Sequence, residues 1–523
     1  MRRSRRFALG LGLALATACS HNDRDAVRSR PETPVEVAAD PSALDRALDA
    51  HWRAAGVVPV ASADDATLLR RASLDLLGRI PTVAEQDAYA ADHDPRKLAH
   101  AIDRMLASPE HATQLADRWT ELLLDGALKV PPKVRTGTHE WLAAQFAKDV
   151  PLDAMTREIL TVDGELDANG PGGFMLAHGR KGRTVALAGT TARVFLGAQI
   201  QCAQCHDHPS EQFSQQDFHA FAAHWARTKV RPKKGGDGYS LLVVDRKRGE
   251  ARMPLPTDSP EEPSGPIVAP SYFGQATTGS DRRDALADRI LADRRFALEM
   301  ANRTWAQLFG RGIVEPVDAL PLSGEVPPLL DAVADQLIAD DYDLDALVRT
   351  IMLSPAYRLD SRGEGDGSKR VAAFAQSAVR PLPTETLLRS LATAATQTEA
   401  GELAPVLERR RLALREFRFV FDDDEETTDD DAGDLPRTLL WENGDLTALV
   451  ASSRPGSPLR RFLREEKEPA QRIESLWRRF YARTPTEAER TTAKAYLASH
   501  DGDAGYEDLV HALVASSEFT TNH

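Results

Sequence analysis

The sequence predicts a mainly α-helical protein of two helical domains that share a repeated capped-helix module and are joined by a small β-hairpin and extended connector. Three observations carry this. Helix starts are written as capping boxes, their contexts recur along the chain, and the clearest β-branched run stands beside a Pro/Gly-rich stretch between two helical regions. Thr82 to Glu85 and Thr486 to Glu489 are T-x-x-E boxes, each preceded by proline. In such a box the threonine hydroxyl takes the third helical N–H and the glutamate returns to the cap's own N–H. Ser108-Pro109 and Ser354-Pro355 set an N-cap serine before a proline whose missing N–H costs nothing at the first helical position.

The first nineteen residues, "MRRSRRFALGLGLALATAC", read as an export signal. Arg2, Arg3, Arg5 and Arg6 form the charged start, and Phe7 to Ala18 is an apolar run too short for a permanent bilayer span. Ala16, Thr17 and Ala18 before Cys19 resemble a bacterial lipobox, so Cys19 is the expected lipidation site; an ordinary secretory signal cut nearby is the alternative. The expected location is therefore periplasmic or cell-surface, anchored in the bacterial outer membrane through Cys19. Residues 20–40 are polar with two prolines and read as a flexible tether.

Residues 41–227 form the first helical domain. Here "LLGRIPTVAEQDAYAADHD" parallels "FYARTPTEAERTTAKAYLASHD" near residue 485. Each is followed by an amphipathic helix, ending "IDRMLASPEH" in one case and "VHALVASSEF" in the other, with "VRTIMLSPAY" as a third copy of that ending. "ATQLADRWTELLL" likewise echoes "ALEMANRTWAQLF", which sets Trp119 and Trp305 on comparable helices. The repeat concerns scaffold. Residues 228–278 break the helical pattern: "YSLLVVDRKRGEARMPLP" predicts a β-hairpin around a charged turn, and Pro/Gly-rich chain follows. Residues 279–523 form the second helical domain. Within it, 421–434 hold nine acidic residues in fourteen positions, without the placed glycine and closing glutamate of an EF-hand, and read as a solvated loop rather than a calcium site.

A net charge of −14 with no basic stripe gives little support to a nucleic-acid partner, and none is expected. No Walker loop, G-x-S-x-G elbow, H-E-x-x-H or dinucleotide glycine fingerprint is present. What remains is "QCAQCHDHPS", 201 to 210, at the end of a helix predicted from about Thr190 into the stretch. Cys202, Cys205 and His206 spell C-x-x-C-H, the attachment signature of haem c: two thiols for adjacent vinyl groups and a histidine to ligate iron. Met175, His178, His219, His224 and Met253 are candidate sixth ligands, and a vacant sixth position is a further option. Two other readings stand beside haem: a C-x-x-C disulfide, and a zinc or non-haem iron site using Cys202, Cys205, His206 and His208. Four ligands within seven residues would strain a tetrahedral site, so a metal would draw a ligand from elsewhere. Once Cys19 is lipidated or removed, Cys202 and Cys205 are the only thiols left in an oxidising compartment.

"LLRRASLDLLGRIPTVAEQDAYAAD", "ARVFLGAQIQCAQCHDHP" and "QQDFHAFAAHWAR" together resemble the planctomycete-type cytochrome-like domain, an exported family of unknown function. "FALEMANRTWAQLFGRGIVEPVDAL", "YDLDALVRTIMLSPAYRLDS", "RPLPTETLLRSL" and "LVASSEFTTNH" resemble the partner domain that habitually follows it. The family motif falls on Cys202, Cys205, His206, Asp207, His208 and Pro209. The chain departs from it at Ser210 and Glu211, where an aromatic and an aspartate are usual. "PRTLLWENGDLTALV" sits where the partner domain has a related stretch, matching at Asn443-Gly444. The motif in an exported chain with no competing thiols points to an electron-transfer or other redox role through haem on C-x-x-C-H, with a redox partner protein; the family's cytochrome label rests on the same motif. The alternative is a cell-surface binding or scaffold protein whose motif is a structural metal site or disulfide. A third reading, hydrolytic or oxidative action on envelope polymers, finds no carboxylate pair that stands out.

Overall fold

The capping signals act largely where the sequence places them. Thr82 accepts from Glu85 N–H at 3.2 Å while the Glu85 carboxylate takes Thr82 N–H at 2.6 Å, and the helix Val83–Ala91 starts there. Thr486 and Glu489 repeat the exchange at 3.3 and 2.7 Å ahead of the helix Glu487–Ala498. Ser108 Oγ accepts from Glu110 N–H at the head of the helix Pro109–Leu124. Ser354 is the exception: it precedes the one-turn helix Pro355–Arg358, and its buried hydroxyl makes no cap bond.

The chain is described here as a computed structural model covering residues 42–124, 130–167, 170–179, 184–235, 238–256, 258, 263–279, 281–322, 324–397, 441, 444–500 and 502–523. The export signal, Cys19, the tether, Asn443 and the acidic loop 421–434 lie outside the described residues. Within them are 23 α-helices and only small sheets, so the fold is mainly α. No helix among the described residues is long and apolar enough to cross a membrane.

The repeated module extends to side-chain bonding. Arg79 grips Glu85 with both terminal nitrogens at 2.9 Å and reaches Glu110 at 2.7 Å. Arg483 grips Glu489 at 2.9 and 2.8 Å and reaches Glu518 at 2.6 and 2.7 Å. Each arginine follows a left-handed residue that ends the preceding helix, Gly78 at φ 64° and Ala482 at φ 60°. Each glutamate thus caps a helix and pairs with arginine at once, a charge-assisted bidentate contact.

The β element differs from expectation. Gly238–Asp245 pairs backward with Thr228–Gly235, in register from Thr228↔Asp245 to Gly235↔Gly238, and Gly164–Asp167 adds along its other side. The hairpin therefore lies upstream of the charged turn. In the sequence the pair Gly-Asp separates the two strands, a hairpin signal. The upstream strand is inconspicuous because Lys, Arg and Pro fill it; it is an edge strand, where proline is tolerated. The downstream run Ala251–Arg252 pairs instead with Ile267–Val268.

One continuous apolar core runs from Leu44 to Ala375, crossing the connector, and includes Phe174, Phe195, Trp225, Trp305 and Phe374. A second core takes Leu382 to Phe519 together with Leu74 and Ile80 from the N-terminal part. The helix Asp65–Leu77 joins them, and every residue from Leu68 to Leu77 is buried. Its buried charged residues are hydrogen-bonded, as burial requires, although Arg70 Nε and Arg71 Nη2 make no bond. Arg70 donates to the Thr521 and Glu518 carbonyls at 3.0 and 2.8 Å, and Arg71 to that of His523 at 3.2 Å. Asp75 accepts from Tyr357 Oη at 2.8 Å, and from Arg380 Nη2 and Asn522 Nδ2 at 3.0 Å each.

Candidate functional site

The helix leading to the C-x-x-C-H stretch begins at Thr184 and stops at Leu196, earlier at both ends than predicted. Gly197 explains the stop. Its φ is +56°, and a Cβ there would lie 2.2 Å from Glu299 Oε2 and 2.8 Å from Leu320 Cγ. Only glycine lets the chain turn over that carboxyl group. The motif then forms a separate 3₁₀ turn, Gln201–Gln204, pinned by buried Ile200 and Ala203. Cys202 and Cys205 are both exposed and not joined in a disulfide.

His206 is exposed, with Nδ1 2.7 Å from the Asp207 carbonyl oxygen. A carbonyl only accepts, so Nδ1 carries the proton and the lone pair sits on Nε2, which has no partner among the described residues. Metal-bound histidines are oriented by this same device. His208 differs. Its Nε2 donates to the Gln199 carbonyl at 3.2 Å and its Nδ1 accepts from Glu211 N–H at 3.1 Å, while its backbone N–H bonds the Phe213 carbonyl at 2.9 Å. Both ring nitrogens are thus spent on stapling the loop. Among the described residues no three or more His, Cys, Asp or Glu side chains gather as a metal-holding group.

The helix Gln215–Ala222, started by a Ser214/Asp217 capping box, supports the motif from behind. Asp207 accepts from Gln215 N–H at 2.8 Å, and Gln215 Nε2 and His219 Nε2 both bond the Gln204 carbonyl at 3.1 Å. Burial lowers the pKa of His219, so it is neutral and donates. Phe213 and Phe221 pack on Phe273, with ring centroids 5.4 and 5.7 Å apart. Three of the other candidate axial ligands are hydrogen-bonded or buried within the protein. His224, driven down to about 4 by burial, bonds the Phe221 carbonyl at 2.8 Å and Thr277 Oγ1 at 3.0 Å. His178 bonds the Leu123 carbonyl at 2.9 Å inside the core, Met175 is wholly buried, and Met253 stands in the connector.

Sequence reasoning missed the polar network under the loop. Glu299, on the helix Arg294–Phe309, is completely buried, 2.5 Å from Arg303 Nε. Arg303 bonds the Arg193 carbonyl at 3.1 Å, Arg193 pairs with Asp318 at 3.3 Å, and Asp318 takes Gln199 Nε2 at 2.8 Å. Gln199 is the residue whose carbonyl holds His208. The visible signal was a lone glutamate between Leu298 and Met300 with arginine four residues on.

These residues fit covalent haem at the attachment end: two free, exposed thiols on one turn and a histidine with an available Nε2. Buried His219 and His224 are occupied elsewhere and do not supply a second axial nitrogen. Residues 43–230 match the family model PSCyt2, described as "Protein of unknown function (DUF1549)", and residues 282–428 match PSD1, "Protein of unknown function (DUF1553)". No curated protein and no solved structure matches the chain.

Proposed function

The chain carries a PSCyt2 domain followed by a PSD1 domain, and we propose that together they form an exported, lipid-anchored c-type cytochrome-like protein. Its role is redox, passing electrons to or from a partner protein through haem held by Cys202, Cys205 and His206. One observation carries the reading: the Asp207 carbonyl fixes the proton on His206 Nδ1 and leaves Nε2 free beside two exposed thiols. Haem would supply one-electron chemistry, at a potential depressed by solvent exposure of the site. The chain's own residues position it. His219 and Gln215 hold the Gln204 carbonyl between the two cysteines, and His208 staples the loop from Gln199 to Phe213.

Expression in a periplasm competent for haem attachment tests this. The expected product has a Soret band and the mass increase of covalent haem, both lost in Cys202→Ala with Cys205→Ala. His206→Ala should keep the covalent mass and change the spectrum. A native chain with neither band nor added mass refutes the reading. An oxidised Cys202–Cys205 pair free of iron would point instead to the scaffold role.

A further inference from the structure

Far from the cysteine motif along the chain, the helix Pro109–Leu124 places Gln114, Asp117 and Arg118 within one turn of each other. Two arginines of the PSD1 region come close: Arg389 reaches this helix, and Arg380 reaches Asp75 on the helix Asp65–Leu77. Arg389, from the helix Thr384–Thr396, bonds Gln114 Oε1 at 2.9 Å and pairs with Asp117. Arg380, from the short strand Arg380–Pro381, bonds both oxygens of Asp75 at 3.0 and 3.1 Å and the Gln307 carbonyl at 3.0 Å. The two carboxylates have further donors: His139 Nε2 lies 2.8 Å from Asp117, and Tyr357 and Asn522 bond Asp75.

Arg118 follows Asp117 and lies one helical turn beyond Gln114, within electrostatic range of Asp75, Arg380 and Arg389, yet among the described residues it makes no hydrogen bond and no ion pair. Two carboxylates thus pair with Arg380 and Arg389, and the third guanidinium, Arg118, is left over. Burial lowers the Arg118 pKa to about 10, so it still carries its charge at neutral pH. Buried Gln307 Nε2 adds a donor with no acceptor. The cluster reaches solvent in part: Arg118 is half-buried, and the Arg380, Arg389 and Asp117 side chains are 18, 21 and 26% exposed. Glycines make room for the arginines. A Cβ on Gly310 would lie 2.4 Å from Arg380 Cδ, and one on Gly78 would lie 2.2 Å from Gln114 Oε1 and 3.1 Å from Arg389 Nη1.

We propose that Arg118, with Arg380 and Arg389, binds a phosphate or sulfate group, free or as a monoester, at the junction of the PSCyt2 and PSD1 domains. The unmatched positive charge selects an anion. The planar donor fork of arginine meets two oxygens at once, which suits a tetrahedral oxyanion. The site does not depend on haem.

Calorimetry on the full mature chain, with chloride matching ionic strength, tests it against inorganic phosphate, inorganic sulfate, phenyl phosphate and phenyl sulfate. One saturable site per chain is expected for at least one of them. Arg118→Gln and Arg118→Lys should each weaken binding about tenfold or more, the lysine variant because it keeps the charge and loses the fork. Arg118→Gln should melt no lower than the parent, since it removes an unpartnered charge. Tighter binding of a phenyl ester assigns the site to monoesters; tighter binding of the inorganic ion assigns it to the free anion. Absence of saturable binding in the parent chain overturns the proposal, as does unchanged affinity in both variants.

Discussion

Glu299→Gln should raise stability at pH 8 and leave it nearly unchanged at pH 4.5, because the native carboxyl group is costly to ionise where it sits. Burial raises its pKa from 4.5 to about 8, against the opposing pull of Arg303 and Arg295 and with the help of Asp318. A folded-state pKa above the unfolded value means that, between the two, the folded chain keeps a proton that the unfolded chain has released. Stability from this group is therefore complete below pH 4.5 and is lost as pH rises toward 8. About 3.5 pH units at about 1.36 kcal/mol each set a ceiling near 5 kcal/mol, and relaxation around the charge lowers the expected value to about 2–4 kcal/mol. Glutamine keeps the shape without the charge, and Arg303 keeps its bond to the Arg193 carbonyl. Urea midpoints of parent and variant, measured from pH 4.5 to 9 at constant ionic strength, should diverge steadily with pH. A difference that does not change with pH, or a variant less stable than the parent at pH 8, refutes the reasoning.

Glu489→Gln should show the opposite pH dependence: burial pushes this carboxyl up, but Arg483 and the Thr486 N–H outweigh it and hold the pKa at about 2. Its stabilising share is present above pH 4.5 and lost as pH falls toward 2, so the variant should lose about 1–2 kcal/mol at pH 7, after allowance for solvent screening, and converge with the parent in acid. Acid titration of the thermal midpoint checks this. Gly197→Ala should cost about 2–4 kcal/mol, combining a left-handed backbone with a Cβ 2.2 Å from Glu299 Oε2. Gly56→Ala, at a similar φ of +64° with nothing within 4 Å, is the control and should cost about 1 kcal/mol. Equal losses in chemical denaturation would show that packing over Glu299 is not the constraint.

Local chemistry was legible in the sequence and convergence was not. The Thr82 and Thr486 boxes work because hydroxyl, N–H and carboxylate lie within four residues, so the pattern specifies the contact. The motif residues were found for the same reason, and so was the repeat. The strand Thr228–Gly235 escaped because an edge strand need not alternate apolar and polar residues. Gly197 carried no visible reason to be glycine until Glu299, 102 positions later, lay against it. The role of Arg118 depends on Arg380 and Arg389, which nothing local connects to it. His208 looked like a metal ligand because its spacing is all the sequence shows, whereas its two ring bonds depend on how the loop folds back.

The burial of the helix Asp65–Leu77 has a consequence for biosynthesis. Arg70 needs the carbonyls of Glu518 and Thr521, and Asp75 needs Asn522, so this helix is not finished until partners far downstream in the sequence have been made. Contacts spanning some 450 positions are slow to form, and until they do this segment exposes leucines beside unpaired charges. A lesion between Glu518 and Asn522 would therefore be felt first in the helix Asp65–Leu77.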